Sequence, residues 1–263
     1  MFLIREKYLF GRFGEGIYIS IRIKKNNFND NLTEILRKKV IKKLNVISAL
    51  TNGEVELIKQ IYKFDGRSYD AFYPLPVKLT DFEVELFEID EFSITEDDFY
   101  IIGNSGDPTN NHITIINMLY LKKYNGYLYF PLAYGDKDYI KEVTEYANKV
   151  FPSKCYFQYD FISPNKYNHI MIEAKGGIFN HNRQQALGNI LSLLYHNKEV
   201  YMNKNILSFK DLKSRGVSIF DLNEFGNVIP QQNNKKIIED NFSDKKASEL
   251  WAMMIKDLIH EKN

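Results

Sequence analysis

The chain has 263 residues, of which 44% are hydrophobic and 26% charged, and its formal net charge at pH 7 is +1. This composition excludes a disordered chain and allows one large or two small globular domains. With so balanced a charge, we expect no nucleic-acid partner.

The charges are unevenly distributed along the chain. Residues 1–50 carry eleven Lys or Arg against four Asp or Glu, whereas residues 81–98 carry nine acidic residues and no basic one. The basic residues concentrate in 37–44, which predicts a helix with a cationic face. A solvated face and a surface for anionic lipid headgroups are both open readings of that helix. The acidic stretch is interpreted as an interdomain connector.

Cysteine content and hydropathy restrict the compartment. The single cysteine, Cys155, excludes an intrachain disulfide, fits a reducing compartment and is interpreted as a buried strand residue. No apolar stretch reaches the roughly 18 residues needed to span a membrane. The first residues carry charges too early for a signal peptide. We therefore expect a cytoplasmic protein with at most peripheral membrane contact.

Strands and helices alternate from residue 99 onward. This pattern predicts a parallel, doubly wound α/β sheet, preceded by less regular α/β structure and followed by a helix over 244–261. We expect domains at 1–92 and 93–230, with a C-terminal helical segment, 231–263, that packs back across them. The predicted strands are 99–102, 127–130, 154–158, 177–179, 199–202 and 217–220, and the helices between them are 110–124, 137–150, 164–174, 184–195 and 209–215.

Two polar loops follow strands of this predicted sheet. The first, 103–112, carries glycines that permit a tight turn and close approach of the backbone to a ligand. It has neither the Walker nor the GxGxxG pattern, so a phosphate cradle and a simple turn with a helix cap both fit it. The second, 180–189, places Arg183 near the predicted start of a helix, where its guanidinium and the amides of 184–186 would bind a diphosphate.

The remaining reactive side chains exclude several classes of site. The five histidines form no metal pattern, and there is neither an HExxH sequence nor a Cys/His cluster. His181 is a candidate ligand contact, whereas His169 and His196 are interpreted as structural. Ser105 lies outside a GxSxG elbow, which argues against a serine hydrolase.

The two loops together resemble glycosyltransferase family 56. Residues 101–113 (IIGNSGDPTNNHI) resemble its first fingerprint, and residues 179–189 (FNHNRQQALGN) resemble its second. Residues 129–136 (YFPLAYGD), 53–57 (GEVEL) and 72–76 (FYPLP) also match in spacing and character. The resemblance runs from about residue 40 to about residue 225.

This resemblance implies a GT-B fold and an activity. The family transfers 4-acetamido-4,6-dideoxygalactose, also named N-acetylfucosamine, from its dTDP-activated form to a lipid-linked disaccharide, lipid II, in enterobacterial common antigen assembly. The resemblance also implies that the enzyme needs neither a metal nor a cofactor, since arginine, backbone amides and helix dipoles neutralise the leaving diphosphate. The protein is then expected on the cytoplasmic face of the inner membrane as a peripheral enzyme.

The chain departs from the family near its N-terminus. Residues 13–18 (FGEGIY) resemble a segment that carries Trp-Gly, an aspartate and a tyrosine, but Phe13 replaces the tryptophan and Gly16 stands at the aspartate position. Glu15 lies one position away. We therefore expect a shortened acceptor-side domain, and a non-catalytic or partner-dependent sugar-nucleotide-binding protein is the alternative to an active enzyme. A sugar-nucleotide epimerase is the least favoured alternative, because this chain lacks the glycine signature of dinucleotide-binding proteins.

Site residues follow from these loops and from the resemblance. Arg183 is predicted to clamp the diphosphate, and Glu54 is a candidate acid or base on the acceptor side. The residues predicted to bind the dTDP-sugar share a place in one of the two loops and are Gly103, Asn104, Ser105, Asp107, Asn111, Asn180, His181, Gln184, Gln185 and Gly188.

Overall fold

A computed structural model describes residues 3–5, 8–10, 28–49, 51–70, 72, 98–228 and 233–260. The chain divides into two compact units. Unit 1 comprises residues 1–74, 183–185 and 241–263, and unit 2 comprises residues 75–182 and 186–240. Residues 13–18, 73–76 and 81–97, on which parts of the sequence interpretation depend, lie outside the described residues.

Unit 1 is built on a four-stranded sheet. Its strands are β1 (Leu3–Arg5), β2 (Tyr8–Phe10), β3 (Val46–Ser48) and β4 (Arg67–Tyr69), in the order β1-β2-β3-β4. The first pair is antiparallel and the other two are parallel. Its helices are α1 (Phe28–Ile41), α2 (Asn52–Tyr62) and α9 (Asp244–His260).

Apolar side chains close the core of unit 1. Ile47 from β3 packs with Ile58 and Tyr62 from α2, and all three are fully buried. The predicted cationic helix face is confirmed in and just after α1, where Ile41 is buried while the four lysines are exposed. These lysines are Lys38, Lys39, Lys42 and Lys43.

Unit 2 contains the predicted doubly wound sheet. Its six strands are all parallel and lie in the order β10-β9-β8-β5-β6-β7. The fold class predicted from the sequence is thereby confirmed. The strands are β5 (Phe99–Ile102), β6 (Tyr127–Pro131), β7 (Cys155–Gln158), β8 (Gly176–Phe179), β9 (Glu199–Met202) and β10 (Phe220–Asp221).

Helices cover the sheet and carry the chain between strands. They are α3 (His112–Leu121), α4 (Lys137–Val150), α5 (Pro164–Glu173), α6 (Leu187–Tyr195) and α7 (Leu207–Ser214), with α8 (Asn234–Phe242) following the last strand. The local sequence explains where two of these helices begin. Asp136 accepts the Tyr139 amide at 2.9 Å before α4, and Ser163 accepts the Lys166 amide at 3.3 Å before α5, where Pro164 takes the first position.

The strand order creates a switch point between β5 and β8. The chain runs outward from β5 to β6 and β7, returns to β8 on the other side of β5, and continues to β9 and β10. The connections that leave the carboxyl ends of β5 and β8 therefore diverge, which leaves a crevice where ligands bind in such sheets. Both polar loops of the sequence begin at this point.

Several predicted boundaries are wrong in informative ways. The helix predicted from residue 110 is a 3-10 turn over Pro108–Asn110, followed by α3 from His112. The helix predicted from Gln184 begins only at Leu187, and the last strand lies at Phe220–Asp221 instead of 217–220. The tail contains an additional helix, α8, before α9. Among the described helices, none is both long and apolar enough to cross a membrane.

Candidate functional site

The two polar loops leave neighbouring strands at the switch point. The first loop covers residues 103–111 after β5, and the second covers residues 180–186 after β8. The Gly103 amide donates to the Ile178 carbonyl at 3.0 Å, so the pairing of β5 with β8 continues into the first loop. The two loops are consequently in register at their origins.

Asn110 connects the two loops at their centre. Its side chain is completely buried, and its Oδ1 accepts the Asn104 amide at 3.0 Å and lies 3.0 Å from His181 Nε2. Its Nδ2 donates to Ser105 Oγ at 3.2 Å and to the Asp107 carbonyl at 3.1 Å. One carboxamide therefore holds three positions of the first loop and one of the second.

A second set of hydrogen bonds lies beside Asn110. Asn111 Nδ2 donates to the Asn180 carbonyl at 2.7 Å, and Asn182 Nδ2 donates to Asn111 Oδ1 at 3.0 Å. The Asn182 amide donates to the Thr109 carbonyl at 3.0 Å. Together with Asn110, these contacts join the loops into one cross-bonded pair.

The cross-bonding gives the predicted ligand-binding residues a structural role in addition to the predicted one. Ser105, Asp107, Asn111, Asn180 and His181 all take part in hydrogen bonds within or between the loops. Asn104 differs because its Oδ1 is buried and has no hydrogen-bond partner in the described part of the chain. Their contacts with a ligand stay predictions.

Gly103 allows the turn that begins the first loop. Its φ of +68° lies in the left-handed region, which favours glycine. A Cβ at this position would lie 2.7 Å from both Asn110 Oδ1 and His112 Nε2. The absence of a side chain at Gly103 therefore lets Asn110 reach the Asn104 amide.

Left-handed residues immediately precede both helices of the site. Asn111 has φ 52° before α3, and Ala186 has φ 58° before α6. For alanine this conformation costs about 1–2 kcal/mol. The chain turns abruptly into each helix, so the first-turn amides of α6 belong to residues 187–189. The expectation that amides of 184–186 occupy the helix N-terminus is wrong for this reason.

Arg183, Gln184 and Gln185 lie in the connection before that turn and group with unit 1. Arg183 and Gln185 are half-buried. Gln184 is only 5% exposed, and neither Oε1 nor Nε2 of its side chain has a hydrogen-bond partner among the described residues. A buried carboxamide without partners costs free energy, so a polar ligand is the expected partner of this side chain. Gly188 lies in the first turn of α6.

Glu54 occupies the first turn of α2 in unit 1. Its side chain is 2% exposed, and its Oε2 accepts the Thr51 amide at 3.3 Å. This contact is half of a capping box, which stabilises the beginning of a helix. The carboxylate thus has a structural role in α2, and the acid or base role inferred from the resemblance stays a prediction.

The family model described as 4-alpha-L-fucosyltransferase, glycosyl transferase group 56, matches residues 21–245. The chain belongs to glycosyltransferase family 56. The resemblance inferred from the two fingerprints is confirmed, and those fingerprints are the two cross-bonded loops at the switch point.

Solved glycosyltransferase structures share the fold of this family 56 chain. They include a UDP-forming alpha,alpha-trehalose-phosphate synthase from Burkholderia vietnamiensis (TM-score 0.64, 7% identity), which covers 88% of this chain. A sucrose-phosphate synthase from Thermosynechococcus elongatus (0.65, 9%) covers 93%, and a glycosyltransferase from Rickettsia africae (0.61, 15%) covers 89%. This chain spans 65%, 66% and 69% of those three chains, respectively. The shared architecture is GT-B.

His112 of the family 56 chain is a buried, neutral histidine. It donates its backbone amide to the Tyr139 hydroxyl at 3.0 Å, and its Nδ1 lies 3.4 Å from the same oxygen. Burial lowers the pKa of His112 from 6.5 to about 4, although the Ile102 carbonyl and the Asp107 charge oppose this shift. The imidazole is therefore uncharged at neutral pH.

This depressed pKa predicts a specific loss of stability in acid. Between pH 6.5 and about 4, the unfolded chain binds a proton at His112 that the folded protein does not, so stability falls as pH falls. The expected loss approaches ~1.4 kcal/mol per pH unit within this window. Urea unfolding from pH 7 to pH 4.5 measures it. A His112→Gln variant should show a shallower slope, and equal slopes would contradict the assignment.

The sequence pattern does not reveal the residues that join the two loops. It predicts a helix start at Asn110 and singles out neither Asn182 nor Tyr139. The asparagine-rich composition of both loops was the available signal, because asparagine offers a donor and an acceptor on one short side chain. Within the described ranges, no three His, Cys, Asp or Glu side chains cluster closely enough to hold a metal ion.

Proposed function

We propose that this chain is a metal-independent glycosyltransferase that uses a dTDP-activated deoxy amino sugar. The proposed donor sugar is 4-acetamido-4,6-dideoxygalactose or a close relative. The proposed acceptor is a polyprenyl-diphosphate-linked saccharide in the synthesis of an enterobacterial common antigen-like surface polysaccharide. Membership of family 56 and the GT-B fold support a transferase of this kind.

The observation that carries the proposal is the cross-bonded loop pair at the switch point. Two helices, α3 and α6, begin directly after these loops, and a helix N-terminus carries the positive end of the dipole together with amides that have no partner inside the helix. In α3 the His112 amide already donates to the Tyr139 hydroxyl, so α6 is the better placed of the two for a ligand. A diphosphate is the part of a sugar nucleotide that such amides bind best. The trehalose-phosphate synthase that shares this fold is UDP-forming, so its leaving group is also a nucleoside diphosphate.

Each side chain then has a proposed role in donor binding. Arg183 would engage two diphosphate oxygens with its planar guanidinium. Gly103, Asn104 and Ser105 would contact phosphate or sugar, and the buried carboxamide of Gln184 would find its missing partners on the ligand. Asn180 and Gln185 would hydrogen-bond the sugar or the nucleotide.

The chemistry consists of one exchange of bonds at the anomeric carbon. The bond from that carbon to the diphosphate oxygen breaks, and a bond to an acceptor hydroxyl oxygen forms. The hydroxyl proton passes to a base, for which Glu54 is the candidate, and dTDP leaves as the anion. The main contribution of the protein would be stabilisation of negative charge developing on the diphosphate.

The proposed place of the reaction is the cytoplasmic face of the inner membrane, where a lipid-linked acceptor is embedded. The exposed lysines of α1 and the residues just after it support peripheral contact with anionic headgroups. Neither a cofactor nor a nucleic acid has a part in this reaction.

A transfer assay with the dTDP-sugar and a polyprenyl-diphosphate disaccharide tests the proposal. We expect dTDP release together with extension of the acceptor, and dTDP binding by calorimetry. Glu54→Gln is the variant that tests the base, because glutamine can still accept the Thr51 amide but cannot take the proton. Turnover should fall about 10²–10⁴-fold, and the melting temperature should stay unchanged. Binding of dTDP without transfer would favour the alternative, a non-catalytic or partner-dependent binding protein. Absence of both would refute the proposal.

A further inference from the structure

Two exposed aromatic side chains form a stacked pair at the carboxyl edge of the unit 2 sheet. Tyr134 follows β6 and is 51% exposed, whereas Phe161 follows β7 and is 78% exposed. Their ring planes are parallel within 1°, and the ring centroids lie 5.9 Å apart. We call this pair the aromatic platform.

The first half of the platform is fixed to the first polar loop. The Gly106 amide donates to the Tyr134 carbonyl at 2.7 Å, and the Asp136 amide donates to the Gly106 carbonyl at 3.0 Å. Gly135, at φ 137°, permits this close approach, since a Cβ there would lie 2.3 Å from the Gly106 carbonyl carbon. Asn104 Nδ2 also donates to the Tyr134 hydroxyl at 3.2 Å. Tyr134 is thereby positioned by the loop that begins at the switch point.

The second half of the platform is fixed to the strand beside it. The Leu132 amide donates to the Gln158 carbonyl at 2.8 Å, which extends the pairing of β6 with β7. The Gln158 side chain donates to the Asp160 carbonyl at 2.9 Å and accepts the Tyr129 hydroxyl. The turn that carries Phe161 is therefore held in place, and the exposure of Phe161 does not follow from a loose loop.

We propose that the aromatic platform stacks the base of the nucleotide whose diphosphate binds at the switch point. This inference rests on the proposed function, in that a nucleoside diphosphate must bind there. The platform lies one and two strands from β5, and a spacing of about 4.8 Å between strands puts it roughly 5–10 Å from the switch point. In a nucleoside diphosphate, the sugar separates the phosphates from the base by a comparable distance.

The chemistry of the pair favours a flat aromatic ligand. Every base has a π-face that can stack on Tyr or Phe, and this contact tolerates different bases. Stacking would also cover apolar surface that is now in water. The hydrogen bond from Asn104 to Tyr134 would couple the position of the first polar loop to the position of the base, which makes the platform part of donor recognition.

Calorimetry on the full chain with dTDP and with pyrophosphate tests this assignment. Phe161→Ala should weaken dTDP binding about 5- to 150-fold, the loss expected for one base stacked on one aromatic ring. Pyrophosphate affinity should stay unchanged, and Phe161→Trp should preserve dTDP affinity because it keeps an aromatic face. Tyr120→Ala is the matched control, since Tyr120 is 63% exposed but lies in the last turn of α3, away from the loops.

The remaining outcomes separate this inference from the proposed function. Unchanged dTDP affinity in Phe161→Ala would overturn the platform alone. An equal loss of affinity for dTDP and for pyrophosphate would also overturn it, because the variant would then have disturbed the first polar loop. If the folded wild-type chain bound none of dTDP, UDP, GDP and ADP, the platform and the proposed function would both be wrong.

Discussion

Replacing Arg183 by alanine is expected to weaken dTDP binding about 10- to 100-fold. The guanidinium would supply two charge-assisted hydrogen bonds to the diphosphate, and bonds to charged groups contribute roughly 1.5–3 kcal/mol. Arg183 immediately follows Asn182, whose amide and side chain are both bonded to the first loop. The arginine is therefore attached to a fixed point of the site.

Transfer should suffer more than binding in Arg183→Ala. Negative charge grows on the diphosphate as the sugar bond breaks, so an arginine beside it would stabilise the transition state more than the bound donor. We expect an additional loss of about 10- to 100-fold in kcat, and Arg183→Lys should recover the charge but only part of the rate.

Titration calorimetry and a dTDP-release assay measure these two effects separately. Arg215→Ala serves as the control, because Arg215 is also half-buried but belongs to unit 2, unlike Arg183. It directly follows the last residue of α7 and pairs with Asp211 of that helix at 2.9 Å. If Arg183→Ala and Arg215→Ala bound dTDP equally well, the diphosphate role of Arg183 would be excluded.

Replacing Asn110 by alanine is expected to destabilise the protein by about 3–4 kcal/mol. The change removes the four hydrogen bonds of the side chain, to the Asn104 amide, Ser105 Oγ, the Asp107 carbonyl and His181, and it leaves a void where the buried carboxamide joined the two loops. Each buried polar group that loses its partner costs about 1–3 kcal/mol, and partial relaxation keeps the total below the sum. The affinity for dTDP should fall with stability, since the same carboxamide positions both loops.

Urea unfolding followed by circular dichroism measures the stability loss. Asn227→Ala is the matched control, because Asn227 is exposed and its replacement should change stability by less than about 0.5 kcal/mol. A loss below ~1 kcal/mol for Asn110→Ala would mean that the two loops keep their arrangement independently of Asn110.

The sequence was sufficient for the sheet because that signal is local. The buried run of Phe99–Ile102 and the short connections around it determine a parallel order once each strand alternates with a helix. The alternation does not determine the strand order, so the switch point between β5 and β8 follows from the structure. The same local reasoning failed at the beginnings of α3 and α6. Contacts with the opposite loop hold Asn111 in its left-handed turn, and nothing in the neighbouring sequence marks Ala186 as left-handed.

The meeting of the two polar loops was predictable from the sequence, but their arrangement was not. The abundance of polar residues predicts a site in these loops, yet composition cannot distinguish a side chain that bonds a neighbouring loop from one that bonds a ligand. Asn110 and Asn111 bond partners about 70 residues away in the sequence, so their role depends on the folded sheet. The exposed pair Tyr134 and Phe161 was missed for the same reason, since the two rings meet only through neighbouring strands.

The cross-bonding of the loops has a consequence for building chimeric enzymes with new donor preferences. Asn110 and Asn111 in one segment are matched to His181 and Asn182 in the other. A chimera that receives residues 103–112 from a relative, but keeps residues 180–182, would combine two loops whose side chains evolved to hydrogen-bond different opposite loops. The two segments therefore form one structural unit, and a chimera should replace both of them or neither.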